Sequence, residues 1–305
     1  MRFAIFQNSI PGGRPNNQDR VAYSYSTEAV LLVLADGMGG HLQGEVAAEI
    51  AVRITLSRFE REAKPRIARP QEFLTDSLLA AHRAIEDYAI AHAMVESPRS
   101  TFVACLLQDK TAWWIHAGDS RLYFYRGSEL IGRTRDHSRV QHLVDAGVIT
   151  PAMAVTHPDR TKIYSCVGGP MTPQFDLSQP VPLQQEDIFV LSSDGFWAEL
   201  GVGEIIHACI GRTVMDAMPE LMQLANARAG SAADNISVVA LAWEQQEAGM
   251  QMASISTATI PMGSVSTQMG MSMEDRRGAT VDVTDEEIEN TIAEIQDAIK
   301  RYSKD

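Results

Sequence analysis

Unbroken apolar runs, rather than alternating ones, mark the main strands of this chain. Residues 30–35 (Val-Leu-Leu-Val-Leu-Ala), 188–191 and 236–243 are apolar at nearly every position. A strand without a polar face has to be covered on both sides. Shorter runs predict further strands at 2–9, 22–26, 101–108, 111–117, 121–126 and 128–133, with 22–26 and 30–35 joined at Thr27-Glu28. The period changes at 44–61, where Val46, Ile50, Ile54 and Leu56 form a helical stripe. After a Pro-bounded break at 65–70, a second helix is predicted over 70–94, with Phe73, Leu74, Leu78, Ala81, Ile85 and Tyr88 at helical spacing. Helices are also predicted at 138–147, 202–210 and 214–229, whereas 150–173 carries Pro and Gly and reads as an irregular, mobile surface flap. Strand blocks interrupted twice by helix pairs point to α+β, with two sheets packed face to face and helices outside.

Residues 244–278 hold Met, Gln, Ser, Thr, Ala and Gly, including six methionines and no aromatic residue. The expected organisation is therefore a folded body at 1–243, a flexible linker at 244–283 and an amphipathic helix at 284–302. Thr284-Asp285-Glu286-Glu287 makes a capping box, and Ile288, Ile292, Ile295 and Ile299 form one stripe. That helix either folds back onto the body, or pairs with another copy or docks a partner.

Charge narrows the list of partners. The formal net charge is -13, with 27 acidic and 21 basic residues in 1–243 and 12 and 5 in 244–305. An acidic body argues against nucleic acid but leaves room for a phosphorylated protein held by local arginines. Cys105, Cys166 and Cys209 lack metal-ligand spacing, and Cys105 reads as core. Neither a signal peptide nor an apolar run of membrane-spanning length is visible, so the expectation is a cytoplasmic protein with no membrane partner.

The chemistry lies where the apolar runs stop. Residues 30–35 end on Asp36-Gly37, the run at 112–118 on Asp119, the run at 188–193 on Asp194-Gly195, and Asp234-Asn235 stands directly before 236–243. Asp19 lies upstream, with Arg14 five residues before it. Carboxylates at strand ends, without Cys or paired His spacing, suit Mg2+ or Mn2+. Two such ions can share a carboxylate, activate a water and hold phosphoryl oxygens. Arg14 has the planar fork to grip a phosphate, and Gly37 allows close backbone approach, so that its carbonyl can serve as a ligand.

The motifs follow in an order that resembles the bacterial PPM-type, protein phosphatase 2C-like serine/threonine phosphatases. They are Arg14-Pro-Asn-Asn-Gln-Asp19, Asp36-Gly-Met-Gly-Gly-His41 with Gly44-Glu45, Ser100-Thr101, Ala117-Gly-Asp-Ser-Arg121, Thr134-Arg-Asp-His-Ser138, His157-Pro158 with Val167-Gly-Gly169, Ser192-Ser-Asp-Gly-Phe-Trp197 and Asp234-Asn-Ile-Ser237. The resemblance spans 14–240 and does not reach 244–305. It implies a four-layer αββα sandwich, two packed sheets flanked by helix pairs, with a flap over 138–164. It further implies that Asp36 bridges two ions and Gly37 supplies a carbonyl to one. Asp194 and Asp234 bind the other, while Asp119 and Asp194 share a third, weaker ion. Asp19 orients ion-bound waters, Asn235 supports Asp234, Arg14 binds substrate phosphate, and His41 stands near the leaving group. One departure is Gln18, where the family usually has Glu.

The function these implications predict is hydrolysis of phosphoserine and phosphothreonine in proteins, opposing a cognate serine/threonine kinase; one variant has an anti-sigma-factor antagonist as substrate. The alternative is a catalytically weakened phosphoprotein-binding scaffold that recruits a partner through its C-terminal helix. His137, His142 and His157 read as flap or surface residues, and Arg121 as one half of a structural ion pair.

Overall fold

The computed structural model describes residues 1–38, 43–243, 255–257, 261 and 263–270. Strands β1 (Arg2–Ile10), β2 (Asp19–Tyr25) and β3 (Ala29–Met38) lead into the helix pair α1 (Gly44–Glu62) and α2 (Pro70–Ala91). Strands β4 (Arg99–Ser100), β5 (Phe102–Gln108), β6 (Thr111–Ala117), β7 (Arg121–Arg126) and β8 (Glu129–Arg133) follow. The flap carries α3 (Arg139–Asp145) and α4 (Pro151–Val155), then the short strands β9 (Asp176–Leu177) and β10 (Val181–Pro182). After β11 (Ile188–Ser192) come α5 (Asp194–Trp197), α6 (Val202–Cys209) and α7 (Val214–Ala229). The last strands are β12 (Ile236–Trp243), β13 (Ile255–Ser256) and β14 (Ser266–Gly270).

Among the described residues the strands form two sheets, one ordered β13-β1-β12-β11-β7-β8 and the other β10-β6-β5-β3-β2-β14. The unbroken runs are explained by what each parity touches. On β3, Leu31, Val33 and Ala35 pack under α1 and α2, while Val30, Leu32 and Leu34 face the other sheet. On β12, Val238, Ala240 and Ala242 pack under α6 and α7, while Val239, Leu241 and Trp243 join the inter-sheet core. Three apolar interfaces between four layers give the αββα sandwich. Cys105 lies in the inter-sheet core. Ser138 caps α3, accepting a hydrogen bond from the Gln141 N–H, and Thr150 caps α4 from the Met153 N–H. The helix α4 lies within a stretch that reads as irregular from sequence.

Two pieces of the stretch that reads as linker behave otherwise. Strand β13 adds to the edge of β1, and β14 adds to the edge of β2 over five residues. The Thr257 hydroxyl accepts from the Met1 ammonium (2.7 Å) and donates to the Thr27 carbonyl (2.9 Å). Thr267 shares a hydrogen bond with Ser24 (2.9 Å) and donates to Glu60 (2.5 Å), while Met269 and Val265 pack on the core beneath α1 and α2. The reading of 244–283 as linker is corrected at these positions: polar Ser and Thr side chains mask an edge strand, whose pairing comes from backbone groups. Apart from 261 and 263–265, the rest of that stretch lies outside the described residues, as do the predicted helix at 284–302 and His41.

Truncation tests this division. Compared with removal of 271–305, removal of 244–305 also uncovers the edges of β1 and β2 and is expected to lower the melting temperature by several degrees. Equal melting temperatures for the two truncations would show that β13 and β14 contribute nothing.

Candidate metal centre

The two sheets deliver carboxylates to one end of the sandwich. Asp19 opens β2 directly opposite Asp36 on β3. Their parities match those of Val21 and Leu34, so both continue the inter-sheet face. The second sheet contributes Asp194, at the first turn of α5 after β11, and Asp234, two residues before β12. Asp119 sits on the crossing from β6 of one sheet to β7 of the other. Asp19 and Asp119 are buried, and Asp36, Asp194 and Asp234 half-buried.

The backbone around these groups is tightly fixed. The Asp36 carbonyl accepts from the Thr101 N–H (2.9 Å) and the Ser100 hydroxyl (2.9 Å), and the Asp36 N–H donates to Thr101 Oγ1 (2.9 Å). That is the role of Ser100-Thr101, left unassigned by sequence. A Cβ at Gly37 would collide with the backbone of Gly44 and lie 2.6 Å from the Gln18 carbonyl, so only glycine lets α1 approach this closely. Asn235 binds the 11–18 loop: Nδ2 donates to the carbonyls of Pro11 and Asn16 (both 3.0 Å) and Oδ1 accepts from the Gln18 N–H (2.8 Å). The Gln18 amide, the departure noted above, donates to Glu45 in the first turn of α1 (2.9 Å).

The charges in this cleft are not balanced by protein. Both carboxylate oxygens of Asp19 are buried without a hydrogen-bond partner. The nearby hydroxyls of Ser193 and Ser237 are engaged instead with the Asn235 carbonyl and with Ser9. Burial, opposed by the nearby Ser237 and Ser193 hydroxyls and reinforced by repulsion from Asp194 and Asp234, pushes Asp19 up to about 7. Asp194 is pushed up to about 6 by burial and by Asp234, against the Gly195 N–H, Arg14 and Arg160. Burial and the surrounding aspartates hold Asp36 and Asp119 well above the usual carboxylate range. Arg14 pairs with Asp234 (2.8 Å), with both side chains largely open to solvent. The exposed Arg14, with Arg160 acting on Asp194 and Arg121 on Asp119 from further away, leaves the five carboxylates under-neutralised, and hard divalent cations fit such an all-oxygen set.

The structure thus places Asp19, Asp36, Asp119, Asp194 and Asp234 near enough for their charges to act on one another, with Arg14 on Asp234 and Gly37 next to Asp36, although no three of these carboxylates close to within 4.8 Å of one another. Sequence reasoning missed Arg160 on the flap, whose charge reaches Asp194. It lies three residues beyond His157, and no pattern sets it apart from the adjacent charges. Arg121 does form an ion pair: its guanidinium meets Asp136 through two bonds (2.8 and 2.7 Å) and stacks 3.4 Å over Trp197. Among the described residues, three metal-ligating groups close to within 4.8 Å of one another at His116, His137 and Asp176. Hydrogen bonding argues against one ion there, because His137 Nδ1 accepts from the Gly118 N–H (3.3 Å), so its proton is on the nitrogen facing Asp176.

Known proteins share this fold and family. The family description "Protein phosphatase 2C" matches residues 12–233. Protein phosphatase PhpP of Streptococcus pneumoniae is 30% identical over 241 residues, covering 77% of this chain and 95% of that protein. The crystal structure of the Mycobacterium tuberculosis serine/threonine phosphatase PstP/Ppp superposes with a TM-score of 0.69 at 30% identity, covering 80% of this chain and 100% of that one. The catalytic domain of PstP in complex with two manganese ions gives a TM-score of 0.66 at 29% identity over 79% of this chain and 98% of that one.

Proposed function

The chain belongs to the protein phosphatase 2C family, and from that premise we propose that it is a metal-dependent protein serine/threonine phosphatase whose centre takes two Mn2+ or Mg2+ ions and a third, weaker one. The observation that carries this reading is the convergence of five aspartates from both sheets, with the Asp19 oxygens buried and unpartnered. When bound, the ions activate a water and neutralise charge on the phosphoryl group. Asp36 and the Gly37 carbonyl, with Asp194 and Asp234, would hold the two ions, Asp119 and Asp194 would hold the third, and Asp19 would orient water. Arg14 uses one nitrogen on Asp234 and has donors left for a substrate phosphate, whose charge it matches as a planar fork. His41, outside the described residues, is assigned to the leaving group in this reading on its motif alone.

The substrates are phosphorylated proteins, among them a serine/threonine kinase and its targets, met in the cytoplasm; among the described residues no helix is long and apolar enough to cross a membrane. The helix at 284–302 docks a partner or a second copy. The scaffold alternative rests on Gln18 alone and is not favoured, since all the aspartates remain. Manganese-dependent hydrolysis of p-nitrophenyl phosphate and of a phosphothreonine peptide tests the reading. Loss of both activities in EDTA is expected, and full activity in EDTA would overturn it.

A further inference from the structure

The loop that presents Asp119 is gripped by a residue from the root of the flap. The His137 N–H donates to the Gly118 carbonyl (2.9 Å), and the Gly118 N–H donates back to His137 Nδ1 (3.3 Å). Gly118 has φ of +110°, and a Cβ there would lie 2.8 Å from Thr101, so the turn depends on glycine and on what holds it. The His137 ring stacks on His116, with centroids 4.6 Å apart and planes within 16°. His116 is fixed in turn, its Nε2–H donating to the Arg135 carbonyl (2.7 Å). Both imidazoles are buried, at 2% and 6% exposure, and burial lowers their proton affinity. A neutral His137 keeps a lone pair on Nδ1 for the Gly118 N–H. The same residue meets the far stem of the flap, its carbonyl accepting from the Tyr164 N–H (2.8 Å).

We propose that His137 is a positioning residue for Asp119: it holds Gly118 from both sides and thereby sets the carboxylate that serves the third ion. The proposal rests on the reading of Asp119 as a ligand. Groups that orient metal ligands through hydrogen bonds typically change metal affinity 10–100-fold when removed. Because His137 also closes the flap stem, this grip joins flap position to the weakest ion site.

Calorimetric titration of the metal-free full chain with Mn2+ tests it, together with thermal melts to verify folding. Asp119→Asn is expected to remove the weak phase of binding. His137→Phe keeps the ring stack and volume but loses the acceptor, and is expected to weaken that phase about tenfold while leaving the tight phase unchanged. His137→Asn places an amide oxygen near the Nδ1 position and is expected to restore most of the affinity. His137→Gln reaches only toward the Nε2 position and is expected to behave like His137→Phe, which keeps the test decisive should the Phe variant not fold. An intact weak phase in Asp119→Asn would remove the ligand reading itself, and the proposal with it. A weak phase lost in Asp119→Asn but unchanged in both His137→Phe and His137→Gln would overturn the positioning role alone. Equal losses in His137→Asn and His137→Gln would do the same, by assigning the effect to packing.

Discussion

Replacing Asp36 with Asn is expected to reduce metal-dependent turnover of p-nitrophenyl phosphate by about a thousandfold or more, roughly 4 kcal/mol of transition-state stabilisation, without unfolding the chain. Asp36 pairs with Asp19 near the end of β3, and its charge also feels Asp194, Asp119 and Asp234. An amide keeps the shape and can still accept one bond, but it lacks the charge that holds a divalent ion. The backbone bonds from Ser100 and Thr101 are untouched by the change. In the metal-free state the variant is expected to melt no lower than the parent, because burial and neighbouring charges make the ionised Asp36 unfavourable. Calorimetric titration with Mn2+ should then show loss of the tight phase. Turnover within tenfold of the parent would remove Asp36 from the centre.

The sequence makes this part of the molecule legible because one physical rule governs it. A strand buried on both faces is a continuous apolar run, and an aspartate at its end stands in a site rather than in solvent. Asp36 and Asp194 lie where such runs stop, Asp119 follows a strand that is only partly buried, and Asp234, itself half-exposed, lies two residues before such a run. The pairing of Arg121 with an acid was equally readable, since a charged residue entering the apolar run at 122–125 has to be matched. What escaped follows other rules. Strands β13 and β14 are held by edge backbone and by Ser and Thr hydroxyls, which leave no hydrophobic period. The grip of His137 on Gly118 joins positions 19 residues apart through a ring nitrogen and a positive-φ turn. Read alone, His137 is a flap histidine; the fold buries it against His116 because both stems of the flap return to β6 and the β6–β7 crossing.

The metal-free protein is expected to lose stability as pH rises from about 4 to about 7, the reverse of the usual response of paired carboxylates. The sign follows from the direction of the shifts. Asp19 is pushed up to about 7 and Asp194 to about 6, so between the ordinary carboxylate value and these values the folded chain binds more protons than the unfolded one. The stability these groups contribute is complete below the unfolded value and is lost as pH passes through 6 and 7. Carboxylates held low by partners, such as Asp145 with Arg135 and Glu204 with Arg228, titrate at and below the ordinary range and do not compete in this window. The buried His82, His116 and His137 do compete up to about their ordinary value of 6.5, because burial lowers their proton affinity and their contribution grows with pH. Thermal melts in EDTA of the parent and of Asp19→Asn, at intervals from pH 4 to 8, separate the two effects. The histidine contribution is common to both proteins, so the difference between them reports the aspartates, and the variant is expected to gain on the parent as pH rises. Saturating Mn2+ should invert the parent's trend, because ion binding displaces protons from the same carboxylates and a ligand at 100 times its Kd adds about 2.7 kcal/mol. If instead the parent gained on Asp19→Asn with rising pH in EDTA, the carboxylates would already be neutralised by protein groups, and the need for cations that defines this site would be gone.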